Sequence, residues 1–337
     1  MERGLPSSRP LGTPEEPNAA NRTMYAGEVD RLHRALGAID AANAEDPTIV
    51  TVRERTGPKE IVHAELVSGG VRRLVTEPDV ALVLAARGHH FRRWTSPRAS
   101  SPAGRAGYLR WRKALHEQHA RELGAVLAEV GYDTATITRV QALVRKDGLG
   151  RDADAQVLED ALCLVFLETQ LVDVAARLDA DTLQRVIVKT ARKMSPAGLA
   201  LIAEVPLTPG GRRVLEEALG RDIVERYLAA LSAHDWPSLA SVLASDVHRV
   251  GPYRDVYDGR DVYAEFLRAT ITALSGYELA VERMTASGGT VAVELSETVD
   301  DRSDRLRTDE VVVFDVVDGL IAQVAVYLQS SERVPGP

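Results

Sequence analysis

Residues 277–329 read YELAVERMTASGGTVAVELSETVDDRSDRLRTDEVVVFDVVDGLIAQVAVYLQ, and this stretch decides the architecture of the second half of the chain. Val291, Val293, Leu295, Glu297 and Val299 alternate with Thr290, Ala292, Glu294, Ser296 and Thr298, the period of a half-buried strand. Ser287-Gly288-Gly289 and Asp318-Gly319 have the composition of tight hairpin turns, where positive φ is required. Four strands are predicted, over 277–286, 290–300, 306–316 and 320–329. Upstream lie two helical patterns (222–234 and 237–244), a short strand at 247–250, a Gly/Asp-rich loop and a helix over 260–274. Helices followed by an antiparallel meander make this half an α+β domain, bounded at 220–331 with a tail at 332–337.

Further toward the N-terminus the grammar changes. Leu207-Thr208-Pro209-Gly210-Gly211 reads as a break, and 207–219 as a linker. From 24 to 206 the apolar spacing is helical, as in Val29, Leu32, Leu36 and Ile39, or Ile137, Val140, Leu143 and Val144. Pro58 and Ser195-Pro196 mark helix starts, Asp181 is a candidate cap, and only 48–53 looks extended. This half is therefore an all-α domain. Residues 1–23, rich in proline, glycine and polar groups, read as a disordered tail.

The chain has 337 residues, enough for two domains of roughly 150 residues each. Its net charge of −8 argues against a general nucleic-acid coat, and its single cysteine excludes a disulfide scaffold or a cysteine-ligated metal ribbon. The acidity belongs to the second half: 221–337 carries a net −9 with no lysine, and the first 220 residues a net +1. No apolar run nears the ~20 residues of a membrane helix, and no apolar core of a signal peptide opens the chain, so a cytoplasmic protein with no membrane partner is expected.

The order helix, helix, strand, helix and curled four-stranded sheet resembles the SnoaL-like group of the nuclear transport factor 2-like fold. The likeness is carried by residues 223–231, Asp246-Val-His-Arg-Val-Gly-Pro252, Asp258-Gly-Arg-Asp261 and 311–329. It implies a cone around an apolar pocket, as in ketosteroid isomerases, polyketide cyclases and epoxide hydrolases, with a homodimer through the cone. In isomerase-type members a base carboxylate precedes a proline on the first strand; here that slot is Gly251, which has no proton-abstracting group. The oxyanion-holding acid matches Glu310, and a helix-one tyrosine matches Tyr227. His248, on the first strand, is a third candidate catalytic group. With no base, a small-molecule-binding cup is the preferred reading and cyclase or isomerase chemistry the weaker one.

The helical half resembles a helical family of unknown function, often labelled glutamyl-tRNA-synthetase-like. The matching pieces are 35–47, Pro58-Lys-Glu60, 84–94, Arg105-Ala-Gly-Tyr-Leu-Arg-Trp-Arg112, 158–168 and Lys193-Met-Ser-Pro196. No nucleotide-binding motif supports a synthetase. Potential ligands sit on separate helices: Glu60 with His63 and His116 with His119 at i,i+3, then His89-His90, then Glu159-Asp160. Such distributed ligands are similar to those of HD-type metal phosphohydrolases, although the helical half holds no His-Asp dipeptide. The family pattern leaves the slots of His63 and His89 to other residues. Glu60, His90, His119 and Asp160 therefore form the expected set for a divalent metal (Mn, Fe or Zn). Asp160 heads a helix whose next seven residues are apolar, so its carboxylate needs a partner.

Between Arg87 and Leu115 lie eight cations and no acid, with Trp94, Tyr108 and Trp111 among them. Arg92, Arg93 and Arg98 are the candidate anion clamp, either facing a ligand or pairing with acids of other helices. With no reader motif, nucleic acid is not expected as a partner. The leading expectation is a metal-dependent hydrolase of an anionic or phosphorylated small molecule, fused to a ligand-binding cone; a non-catalytic metabolite-binding or dimerisation protein is the competing one.

Overall fold

A computed structural model describes residues 19–301 and 304–334. The tails expected at 1–23 and 332–337 lie largely outside the described residues. The chain forms two compact units, residues up to Leu158 and residues from Glu159 onward.

The first unit is helical. Helix α1 (Ala19–Asn43) leads into a hairpin, β1 (Ile49–Val52) and β2 (Arg55–Pro58), of which only β1 lies in the stretch read as extended. Then come α2 (Lys59–Leu74), α3 (Val80–Gly88), two short 3-10 turns, α4 (Gly104–Val130), α5 (Thr134–Arg145) and the start of α6 (Ala153–Ala175). Pro58 is the N-cap of α2, matching its predicted place at a helix start. The core is built from one face of each helix: Ile39, Val67, Leu84, Leu123, Leu127 and Leu143 are sealed from solvent. At Gly88 an added Cβ would meet Leu123 Cδ2 at 2.6 Å, so the Leu123 side chain of α4 packs directly on this glycine.

The second unit begins inside α6 and continues through α7 (Ala180–Ala191), α8 (Pro196–Ala200) and α9 (Pro209–Ser232). Asp179, not the predicted Asp181, caps α7 by accepting from Thr182 N at 2.8 Å; Asp181 falls two residues too late, inside the helix. Ser195 caps α8 as expected. The stretch read as a linker at 207–219 is corrected: from Pro209 it is the first half of α9. Thr208 caps the helix, Pro209 occupies its first turn, and the Gly210-Gly211 pair is tolerated because Gly211 packs against Val172. Leu215 and Ala218 share an apolar cluster with Leu167, Leu171 and Ile187, so this segment has a core of its own.

The remainder is an α+β cone. After α10 (Trp236–Ser241) come β3 (Leu243–Val250), β4 (Val256–Asp258), α11 (Arg260–Thr272), β5 (Glu278–Ser287), β6 (Thr290–Asp301), β7 (Asp304–Val317) and β8 (Leu320–Val334). Six strands pair in the order β4-β3-β8-β7-β6-β5, with β3 parallel to β8 and every other pair antiparallel. Gly288 and Gly319 take positive φ at the two predicted hairpin turns. Tyr227, Leu228, Tyr263, Val293, Phe314 and Val324 fill the space between sheet and helices.

Candidate functional site

The first turn of α2 buries a carboxylate. Asp46 accepts from Thr48 N and from Glu60 N, which pins the helix start and holds Glu60 under the hairpin. One turn on, His63 is also buried. At the far end of α3, His89 Nδ1 donates to Ala86 O at 2.9 Å and caps the helix, and His90 follows. Arg92 then takes left-handed φ of 51°, with its N–H donating to Asn43 Oδ1 at 3.0 Å; this costly turn reverses the chain just past His90.

Glu60, His63 and His90 each offer a ligand atom within 4.8 Å of the others, and they form the one such acid/histidine group of three among the described residues. His119 of α4 stands beside it, its ring centroid 5.9 Å from that of His90. His119 Nδ1 donates to Phe91 O at 2.8 Å, which fixes the tautomer and leaves Nε2 as a bare lone pair. Glu60 Oε2, His90 Nδ1 and His119 Nε2 are all buried, and none has a hydrogen-bond partner among the described residues. Desolvation drives the imidazoles toward neutrality. His119 is lowered to about 4, His90 goes well below the usual histidine range with Arg93 adding to the effect, and His63 is lowered as well.

Three of the four expected ligands are thus neighbours, and His63, which the resemblance had set aside, joins them. Asp160 lies in the other unit. Its carboxylate accepts from Ser195 N at 2.9 Å and from Ser195 Oγ, and it packs where a side chain at Gly198 would stand. Helix-terminal groups are the partners it needed. The arginines divide similarly. Arg93 Nε is 3.9 Å from Glu60 Oε1 and its guanidinium lies over Trp111, whereas Arg92 is exposed. Arg98 donates to the carbonyls of Ser101 and Pro102 and lies over Tyr108 and Trp111, so it ties its own loop. Arg87 is neutralised by Asp40 and Glu65.

The cone carries a second polar cluster. Tyr227 and Tyr263 share a buried hydroxyl–hydroxyl hydrogen bond of 2.5 Å, and Tyr277 donates to Glu297 at 2.6 Å. Glu310 faces inward, and burial with the nearby Glu297 pushes its carboxyl up to about 8. His248 is instead half-exposed and bonded to Asp258 at 2.6 Å. Its neighbour Arg249 takes the inward position, ion-paired with Asp255. A Cβ at Gly251 would collide with both members of that pair, so the base slot of an isomerase is filled by charge from elsewhere. Sequence reading passed over Arg249, although Val247, Arg249 and Gly251 alternate on the apolar face of the strand.

A family model described as a domain of unknown function (DUF4202) matches residues 33–215, and one for a SnoaL-like domain matches residues 224–324. No curated protein matches the chain significantly. Among solved structures, a protein assigned as a ketosteroid isomerase from Kribbella flavida DSM 17836 is 28% identical, over 36% of this chain and 86% of its own, with a TM-score of 0.31. An LEH-like epoxide hydrolase from M. tuberculosis is 24% identical, over 34% of this chain and 85% of its own, also at 0.31. At such TM-scores these likenesses add nothing to the functional reading.

Proposed function

We propose, for a chain that belongs to the DUF4202 family and carries a SnoaL-like domain at its C-terminal end, that the helical unit is a metal-dependent hydrolase of an anionic small molecule. The observation that carries this reading is the group of Glu60, His63 and His90, whose ligand atoms lie within 4.8 Å of one another, with the buried His119 beside His90. Glu60 Oε2 and His90 Nδ1 lie 3.4 Å apart, at ion-pair distance but without a hydrogen bond, and His119 Nε2 is buried without one, which costs on the order of 1–3 kcal/mol for such an atom. One carboxylate and three neutral imidazoles, counting His63, suit a divalent Zn, Mn or Fe ion. Such an ion supplies Lewis-acid activation of water and of the scissile group. The chain's own residues do the rest. Glu60 offsets the charge, the Phe91 carbonyl orients His119, and Arg93, with Arg92 at the surface beyond it, receives the anion.

The test is metal analysis of the full chain purified without a histidine tag. About one equivalent of a transition metal is expected, together with a higher melting temperature on adding Zn or Mn. Less than about 0.2 equivalents and an unmoved melting temperature would reject the metal centre. Activity toward phosphate esters, lost on chelation and restored by metal, is the second measurement.

The cone has its own reading, favoured by the polar side chains along its inner wall: it is a small-molecule cup rather than an isomerase, since Gly251 supplies no base. Dimerisation through the cone is part of the same proposal, checked by light scattering of the full chain.

A further inference from the structure

The inward side chains of the cone change character along the sheet. On β7 the inward row runs Phe314, Val312, Glu310 at 0%, 6% and 9% exposure. Their register partners on β8 are Val324 at 0%, Val326, which is half-buried, and Leu328 at 40%. Glu297 pairs with Thr308, one inward position beyond Glu310. One end of the cone is therefore sealed by apolar groups and the other opens, with the two glutamates at the step between them.

Arg249 leaves β3 opposite Val324, and its side chain reaches alongside Gly251, one inward position toward the open end. It is buried, its guanidinium carbon lies 4.9 Å from the Phe266 ring centroid and 5.4 Å from that of Tyr257, and those two rings stack on each other at 3.9 Å. Asp255 takes only the NH1 corner. Arg249 Nε is buried with no acceptor among the described residues. The Nε edge of a guanidinium offers two parallel N–H groups, which match the two oxygens of a carboxylate.

We infer that the open end of the cone receives the carboxylate of an organic acid with an aromatic body, gripped by the Nε edge of Arg249, with the stacked Tyr257 and Phe266 beside it. This rests on the cup reading above and names its ligand class. Asp255 and Glu297 are acceptors already engaged by Arg249 and Tyr277, and the other polar groups nearby can donate. Glu310 keeps its proton at neutral pH, so it donates to an anion instead of repelling it. In the Tyr227–Tyr263 pair one hydroxyl donates to the other, whose own hydrogen is left for a further acceptor.

Calorimetric titration of the full chain with naphthalene-2-carboxylate and with naphthalene-2-carboxamide tests it. The carboxylate should bind at least about tenfold more tightly. The double variant Arg249→Met/Asp255→Leu removes both charges, so that neither is left buried alone, and should erase that preference. Independently of any variant, an arginine Nε–H NMR signal of the wild-type chain should move with the carboxylate and stay still with the amide. Equal or tighter binding of the amide overturns the carboxylate and leaves the cup reading standing. Binding of neither at about 1 mM overturns both. A preference that survives in the double variant, or Nε–H signals that do not move, overturns the role of Arg249.

Discussion

Glu310 holds a proton that a surface glutamate would have lost. Its carboxyl is raised from an ordinary value near 4.5 to about 8, chiefly by burial and then by Glu297. Between those limits the folded state binds more protons than the unfolded one, so stability is greatest below about 4.5 and falls as pH rises through about 8. Denaturant titrations of wild type and Glu310→Gln between pH 5 and 8.5 should diverge, the wild type losing about 2–4 kcal/mol relative to the variant. Parallel curves would mean that the carboxyl is already ionised. Asp160 gives the opposite kind of residue-level test. Because its oxygens serve Ser195, Asp160→Asn should cost about 1–3 kcal/mol equally in chelator and in added Zn, measured by thermal melts. A loss seen only with metal would restore it as a ligand. Glu60, His90 and His119 stood out in the sequence as acid and histidine groups spread over separate helices, and the fold brings them near one another. The i,i+3 spacing marked His63 as a neighbour of Glu60, but the pattern of a resembling family argued against it.

Among the elements, α9 departs most from its expected form. A Pro-Gly-Gly sequence ordinarily stops a helix, but here the proline sits at the permitted first turn and Gly211 is packed against Val172. Leu215, from the stretch read as a linker, is buried among Leu167, Leu171 and Ile187. Leu215→Ala should therefore destabilise the chain by about 2–4 kcal/mol, where a linker residue would cost almost nothing. A change below about 0.5 kcal/mol in chemical denaturation would contradict this packing. The four strands of the meander were read to within a few residues, because period-two alternation and Gly-containing turns are local signals, whereas β4 was read as loop and the start of β3 as helix. The continuity of α9 was not legible, because capping and burial outweigh composition only once neighbours are in place.

At the scale of the whole chain, the compact division at Leu158/Glu159 falls inside α6, well before the boundary expected near 206–220. A fragment spanning 153–337 keeps α6, α7 and the whole of α9 with their shared cluster, whereas one spanning 220–337 starts in the middle of α9. The longer fragment should melt at least about 10 °C higher by circular dichroism. Equal melting temperatures would show that the cone needs none of the preceding helices.

The sequence by itself determined the two architectures, the strand order along the chain and the types of residue available for chemistry, because periodicity, turn composition and residue identity are local properties. Tertiary structure alone decided that Leu123 packs on Gly88, that His63 completes a group with Glu60 and His90, that Asp160 serves a helix start, and that Arg249 rather than His248 faces the interior of the cone. Each of those outcomes depends on which atoms approach across tens of residues. Burial and unpaired ligand atoms come from that approach, and the one-dimensional pattern does not encode it.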